Sequence, residues 1–306
     1  MEKLTKTRLG YCCISLGKFE SAFKTVTLTK TKTLSKTEAR EKLFKTWINN
    51  LHEYCEILQY NMDAGIKLYR ISSDLFPLAD HEEFEYLWNE FSFVKNYWNN
   101  ARYFTNEFLE NGGRLCAHPG QFVSLGSPSK KVRNNSIKNL ELHATVFDRL
   151  DLPFDHNAPL NIHLSNGKDN IKNLDFFEES LSDLSDSVRN RLVFENEDKA
   201  FWTWQNIRKY FPTFPVTLDF HHRNLNNQEE SELEAFDVCA ESWGNIRPMM
   251  HISDGREGPD DRSHHDWVHE LPKMVLEPNG VDLEIEAKKK DLAVLFLKSK
   301  YSDKVI

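Results

Sequence analysis

The sequence lacks an excess of basic residues: 39 Lys+Arg stand against 47 Asp+Glu in 306 residues, a formal net charge of −8. That balance excludes a polycationic coat that would hold nucleic acid by charge alone, while leaving room for a local basic groove. No apolar run approaches the roughly 18 residues of a membrane-spanning helix, and the mean hydropathy is −0.59. The opening segment Met1–Leu9 has no apolar h-region, so no secretory leader and no membrane contact are expected, and the cytoplasm is the expected compartment. Cysteine is scarce. Cys12, Cys13, Cys55, Cys116 and Cys239 make an odd count without a CxxC spacing, which argues against a disulfide framework or a thiolate zinc site. A nucleophile elbow, a P-loop and a dinucleotide fingerprint are all missing. No Gly/Ser linker, repeat or composition break divides the chain, so residues 1–306 are expected to form a single domain.

What is present is alternation. Eight apolar runs of strand length recur at 8–14, 67–72, 114–118, 160–164, 192–195, 216–219, 248–252 and 281–286. Longer stretches with helical spacing separate them, at 38–63, 83–110, 129–150, 173–190, 199–210, 229–243, 264–277 and 288–298. In the first of these, Leu43, Trp47, Leu51, Cys55, Leu58 and Met62 share one face. Ser35 and Glu38 are spaced as a capping box before it, and Gly65 follows as a stop signal. The Lys/Thr-rich segment 25–37 reads as a long first βα loop. Strand–helix alternation repeated eight times implies parallel strands with right-handed crossovers, and its simplest closed form is an α/β fold, the (β/α)8 TIM barrel.

Active sites of such barrels form at the carboxyl ends of the strands. Those ends carry His118, His163, Glu195, Asp219 with His222, His251 and Glu286, and the loops on the same face add His81 and the pair His264–His265. Imidazoles suit zinc, manganese or iron, and bridging carboxylates suit paired cations. A set this rich exceeds the three protein ligands of a typical catalytic zinc, so two or three metals are implied. A lone histidine at a strand end is more often structural, and His52, His143, His156 and His269 are read that way. Recurrence around the whole mouth carries the metal reading.

The runs Leu9-Gly-Tyr11, His118-Pro-Gly-Gln-Phe122, Val193-Phe-Glu-Asn-Glu197, Asp219-Phe-His-His222 and Ile285-Glu-Ala-Lys288 resemble those of UV damage endonucleases, from residue 9 to about 288 and in the family's order. That family shares the barrel of endonuclease IV. The resemblance implies a nuclease with a cluster of three divalent cations, manganese foremost, with zinc, cobalt and magnesium as the other candidates. It implies a monomer without an obligate protein partner, acting on damaged double-stranded DNA. Such enzymes nick immediately 5′ to a pyrimidine dimer or other UV photoproduct, leaving 3′-hydroxyl and 5′-phosphate ends. Carried onto this chain, Glu195 matches the glutamate that bridges two metals. His118 and His163, with His81, would complete the first metal's set of ligands. Asp219, His251 and Glu286 would hold the second metal, and His222 and His265 the third. Glu195, Asp219 and Glu286 would be the catalytic carboxylates. His265 is preferred to His264 because Asp266-Trp267 follows it, and His222 to His221 because it stands three residues from Asp219. Relatives often carry a lysine where this chain has Met249, and a tyrosine where it has Phe122.

Gln121 and Phe122, just past His118, would enter the duplex as a wedge of the kind that holds an unstacked step; the alternative for Phe122 is packing under the third βα loop. Tyr11 matches a family tyrosine near the lesion pocket, and its rival role is closing the barrel floor. Lys130, Lys131, Arg133, Lys168, Arg256 and Arg262 follow strands on the mouth side and are expected to meet phosphates as a group. The chief rival reading is a sugar isomerase-like barrel with paired metals, which needs neither a third metal nor a wedge. A second is a metal-binding barrel that recognises lesions without cutting.

Overall fold

The eight apolar runs become strands β1 (Arg8–Cys12), β2 (Leu68–Ile71), β3 (Arg114–Ala117), β4 (Leu160–His163), β5 (Leu192–Glu195), β6 (Val216–Thr217), β7 (Met249–Ile252) and β8 (Asp282–Ile285). The computed structural model describes residues 6–18, 23–120, 122–164, 171–199, 201–226, 230–277 and 280–306. All strand pairs are parallel, in the order β6-β5-β4-β3-β2-β1-β8-β7. The end strands β6 and β7 share no ladder. A single parallel bridge between Asp219 and His251 draws them together, with the His251 N–H donated to Leu218 O at 2.9 Å. The result is a nearly closed (β/α)8 barrel. Among the described residues no helix is long and apolar enough to cross a membrane.

Helices cover the outside of the sheet where the periodicity places them. Helix 36–63 starts on the Ser35–Glu38 capping box and is followed by Gly65 at φ +65°, a left-handed conformation that glycine adopts without a Cβ penalty. Leu43, Trp47, Leu51, Cys55 and Leu58 lie buried on one face of it. Elsewhere the runs are subdivided. The stretch 83–110 forms helices 85–93 and 95–110, and 173–190 forms 174–183 and 186–189, the latter restarted by the Ser185 side chain accepting from Val188 N. A short helix, 28–32, occupies the long first loop.

One expected helix is absent. Residues 264–277 form a loop that ends in a 3-10 turn at 273–276. Here tertiary hydrogen bonds replace helical ones: His265 N–H goes to Asp254 O at 2.7 Å, and the Asp254 carboxylate takes His269 N–H at 3.0 Å. Pro272 supplies no N–H to continue a helix. Residues 220–225, outside the expected helical stretches, form a helical turn capped by Asp219.

The barrel interior is charged. Successive side chains of a strand alternate between faces, so Asp282, Glu284 and Glu286 stand in one inward row along β8. At the bottom Asp282, without solvent exposure, takes Arg8 Nη2 at 2.6 Å and Arg114 Nη1 at 2.7 Å. Above it Arg70 Nη1 lies 2.7 Å from both Glu284 and Glu286. Gly10 allows β1 to approach β2 here, since a methyl group would overlap Leu68 O and Cβ. Asp282→Asn leaves two guanidinium groups short of a counter-charge at the barrel floor. Breaking a buried pair costs about 3–5 kcal/mol, so urea unfolding should show a loss of that size with an unchanged m-value.

Candidate metal centre

Glu195 ends β5 and is only 1% exposed, yet five side chains converge on its carboxylate. Its Oε2 lies 3.1 Å from His118 Nε2 and 3.2 Å from His251 Nδ1, and accepts the Asn161 amide. Its Oε1 lies 3.4 Å from His222 Nδ1 and 4.0 Å from His163 Nε2. Each histidine reaches this point from the carboxyl end of its own strand. Asp219 is the N-cap of the turn 220–225: its Oδ1 accepts His222 N–H at 2.7 Å, and its Oδ2 lies 3.9 Å from His222 Nδ1. The three-residue capping spacing thus brings both side chains to one place. Glu286, just beyond β8, adds Oε1 at 3.5 Å from His251 Nδ1 and Oε2 at 3.6 Å from His264 Nδ1.

Three groups have potential ligand atoms within 4.8 Å of one another: His118, His163 and Glu195; Glu195, Asp219 and His222; His251, Glu284 and Glu286. Glu195 belongs to two of them. A cavity of about 250 Å³ opens over the cluster, lined by His118, His163, His222, His264, Glu286, Arg70 and Cys13 among others. Among the described residues, Asp219 Oδ2, His163 Nδ1 and both ring nitrogens of His251 are buried without a hydrogen bond. An unsatisfied buried polar group costs about 1–3 kcal/mol. Divalent cations accepted by these imidazoles and carboxylates would remove that cost, and the donor set suits such ions.

The electrostatics point the same way. Burial opposes charge on His251, but Glu195 and Glu284 outweigh it and raise the imidazole to about 10. His222 is raised against burial by Asp219 and Glu195. Burial works against charge on Glu195, yet His251 and His163 hold it well below the usual carboxylate range. Burial is likewise outweighed at Glu286, by Arg70 and His251, whereas at Glu284 it prevails over Arg70 and pushes the carboxyl up to about 7. His163 is lowered by burial. The carboxylates of this cluster draw positive charge into the space between them.

Not every residue singled out in the sequence meets this cluster. His118, His163, Glu195, Asp219, His222, His251 and Glu286 do. His81 accepts Glu83 N–H at 3.2 Å and lines a separate cavity of about 290 Å³ with Phe122, Lys131 and Asn135. His265 is turned away, its Nδ1 accepting Trp267 N–H at 3.0 Å and its ring 4.9 Å from His269, so it is His264 that faces the cavity. His221 is likewise directed to Asp261 O, at 2.9 Å. Tyr11 has no solvent exposure, donates to Asn61 Oδ1 at 2.8 Å and packs on Tyr69 at 5.3 Å. The reason is register: Cys12 pairs with the inward Arg70, so the adjacent pair Tyr11–Tyr69 faces the helix layer, neither mouth nor floor. Phe122 is 60% exposed at the rim. Gln121 and Lys168 lie outside the described residues.

Sequence reasoning passed over Arg70, Asn161 and Glu284. A signal existed for two of them. Arg70 is a charge inside an apolar strand run, and Glu284 stands two residues before Glu286, hence on the same face.

Eight parallel strands with a His/carboxylate cluster at their carboxyl ends define a (β/α)8 enzyme whose centre offers a set of side chains that could hold cations. The family model described as UV-endonuclease UvdE matches residues 7–305, and the chain belongs to that family. It is 30% identical over 301 residues to the UV DNA damage endonuclease of Bacillus cereus (strain B4264), covering 95% of this chain and 93% of that protein. The crystal structure of SacUVDE superposes with a TM-score of 0.82 at 27% identity, covering 97% of this chain and 99% of that one. Endonuclease IV from Thermus thermophilus, at 12% identity and a TM-score of 0.55 over 97% of this chain and 99% of its own, shares the fold. The chain is therefore a DNA endonuclease, a hydrolase of the repair class, and the sugar isomerase reading falls.

Glu195→Gln removes the charge shared by two groups. Changes one step removed from a metal ligand already cost roughly 10–100-fold in affinity, so manganese binding by calorimetry should weaken by at least that much. His264→Ala should lower the bound metal measured by elemental analysis, while His265→Ala should leave it unchanged.

Proposed function

We propose that the enzyme cleaves the phosphodiester immediately 5′ to a pyrimidine dimer in duplex DNA, by hydrolysis with two or three divalent cations, leaving 3′-hydroxyl and 5′-phosphate ends. The observation that carries this reading is Glu195, a buried carboxylate within reach of four imidazoles and shared between two ligand groups. His118, His163 and Glu195 would hold one cation. Asp219 and His222 with Glu195 would hold another, and His251 with Glu284 and Glu286, beside His264, a third. Bound divalent cations supply Lewis-acid neutralisation of charge on phosphoryl oxygens and a more acidic water; manganese is the expected ion.

The chain's own residues set the geometry. Asn161 orients Glu195 from β4, and Arg70 fixes Glu284 and Glu286 from the opposite wall. His222 is further held by its Nδ1–H toward Asn196 O at 3.0 Å. No Ser elbow or Cys–His motif offers an activated side-chain nucleophile, which favours direct attack by water. Phe122, exposed beside the cluster, is suited to fill the space left by extruded bases. Lys130, Lys131 and Arg256 are exposed on the mouth side and suited to phosphates, whereas Arg133 is buried against Glu179 at 2.8 Å and Arg262 is paired with Asp198 at 3.2 Å. A monomer acting in the cytoplasm without an obligate partner completes the reading.

Irradiated supercoiled plasmid incubated with the purified protein and manganese should be nicked, and untreated plasmid spared. Chelator should abolish the reaction, and a polymerase should extend the new 3′ end directly. A covalent protein–DNA adduct trapped by borohydride, or a blocked 3′ end, would overturn the hydrolytic reading. Base–aromatic stacking is worth roughly 1–3 kcal/mol, so Phe122→Ala should weaken binding to damaged duplex about ten- to a hundredfold without changing metal content.

A further inference from the structure

We propose that Cys13, on the wall of the nuclease cleft, and Cys12, buried just behind it, form a peroxide-reactive thiol pair whose oxidation to an internal disulfide shuts the enzyme down. Cys12 is the last residue of β1, in register with Arg70, and its Sγ receives Lys290 Nζ at 3.2 Å. Cys13 follows it into the cavity wall, among residues that include His118 and Glu286. An ammonium on one sulfur, with a second sulfur on the next residue, is an environment in which cysteines turn reactive and find a resolving partner. Cys12 is buried, as are Cys55, Cys116 and Cys239; the thiols of those three are pushed up by burial, Cys55 to about 12, and they serve as internal controls.

The backbone adds a second observation. Cys13 sits at φ +70°, unusual for a residue with a Cβ, and Ile14 N–H closes a tight three-residue turn onto Cys12 O at 3.0 Å. The turn is held by Tyr69 OH donating to Cys13 O at 2.6 Å and by Cys13 N–H to Arg70 O at 3.0 Å. Lys290 is itself at φ +48°. Strain of this kind persists only where the surroundings enforce it, and it clusters at functional sites.

In the reaction the Cys12 thiolate attacks one oxygen of hydrogen peroxide, the O–O bond breaks, and Cys12 becomes a sulfenic acid while hydroxide leaves. The Cys13 sulfur then attacks Cys12 sulfur, the S–O bond breaks, and the oxygen departs as water with the Cys13 proton. The hydroxide takes up the proton that Cys12 lost, so one peroxide and two thiols give one disulfide and two waters. Consecutive Cα atoms lie about 3.8 Å apart, closer than the roughly 4.4 Å lower bound of ordinary disulfides, so the bond is strained and readily reduced. Forming it takes the thiolate from Lys290 and reshapes the turn beside Glu286.

The test treats the purified full-length protein with hydrogen peroxide, removes the peroxide, alkylates under denaturing conditions and maps the cysteines by mass spectrometry. The peptide carrying Cys12 and Cys13 should lose both alkylation sites and regain them after dithiothreitol, while Cys55, Cys116 and Cys239 stay alkylated. Cys13→Ser should accumulate a dimedone adduct on Cys12, and Lys290→Met should slow the loss at least tenfold. Nicking of irradiated plasmid should fall with disulfide formation and return with reductant. Oxidation of the pair no faster than that of Cys239, or at the wild-type rate in Lys290→Met, would overturn the proposal, as would full nicking by the oxidised protein. Absence of nicking by the reduced protein would instead count against the lesion-cleavage reading, because the mass readout does not depend on it.

Discussion

Everything in this barrel answers to the burial of carboxylates along its axis. Asp282, Glu284, Glu195 and Asp219 are all within 1% of complete burial, and each buried ion forfeits several kcal/mol of hydration unless it is matched. The two ends of the barrel match them differently. At the floor Asp282 is answered by the guanidinium groups of Arg8 and Arg114, so the charge is closed within the protein. At the mouth Glu195, Asp219, Glu284 and Glu286 face Arg70 and a ring of imidazoles, two of which, His251 and His222, are raised by these carboxylates. The same chemistry therefore yields stability below and potential cation ligands above, which is the division of labour expected between the two faces of a (β/α)8 barrel.

Two geometrical rules convert the sequence into that arrangement. The period of two along a strand stacks residues on one inward column, as in Asp282-x-Glu284-x-Glu286 and Met249-x-His251. Parallel register then sets columns of neighbouring strands side by side, so that His163 meets Glu195 directly across β4 and β5. The third element is a helix cap. Asp219 satisfies the backbone of the turn behind it with one oxygen and keeps the other for the cluster, so a structural role and a chemical one share a single carboxylate.

The strand ends and most of the ligand set were legible because a short strand leaves little choice of where its carboxyl end lies. What was not legible depended on loops and on facing. His264 and His265 are consecutive, and their directions are decided by the Asp254 carbonyl taking His265 N–H, a contact that no local pattern announces. The same contacts dissolve the helix expected at 264–277. Tyr11 was placed at the mouth by its position along β1, yet its face follows from the pairing of Cys12 with Arg70 across strands. Arg70 was overlooked because an arginine in a strand reads as a surface residue until its partners, more than two hundred positions away, are known.

Met249 shows how the layers divide the work. It lies on the inward column one step below His251, and it packs with Leu68, Cys116, Val193 and Trp243 in an apolar cluster. A methionine there asks for no counter-charge, and it separates the self-contained ionic floor around Asp282 from the mouth above. The cation that steadies Glu284 and Glu286 comes instead from β2, where Arg70 spans both carboxylates at once. Because guanidinium is planar and permanently charged, this support does not depend on a cation from β7, where Met249 stands. The mouth can thus keep its acidic character and its order together, with fixed charge on one wall and exchangeable charge on the other.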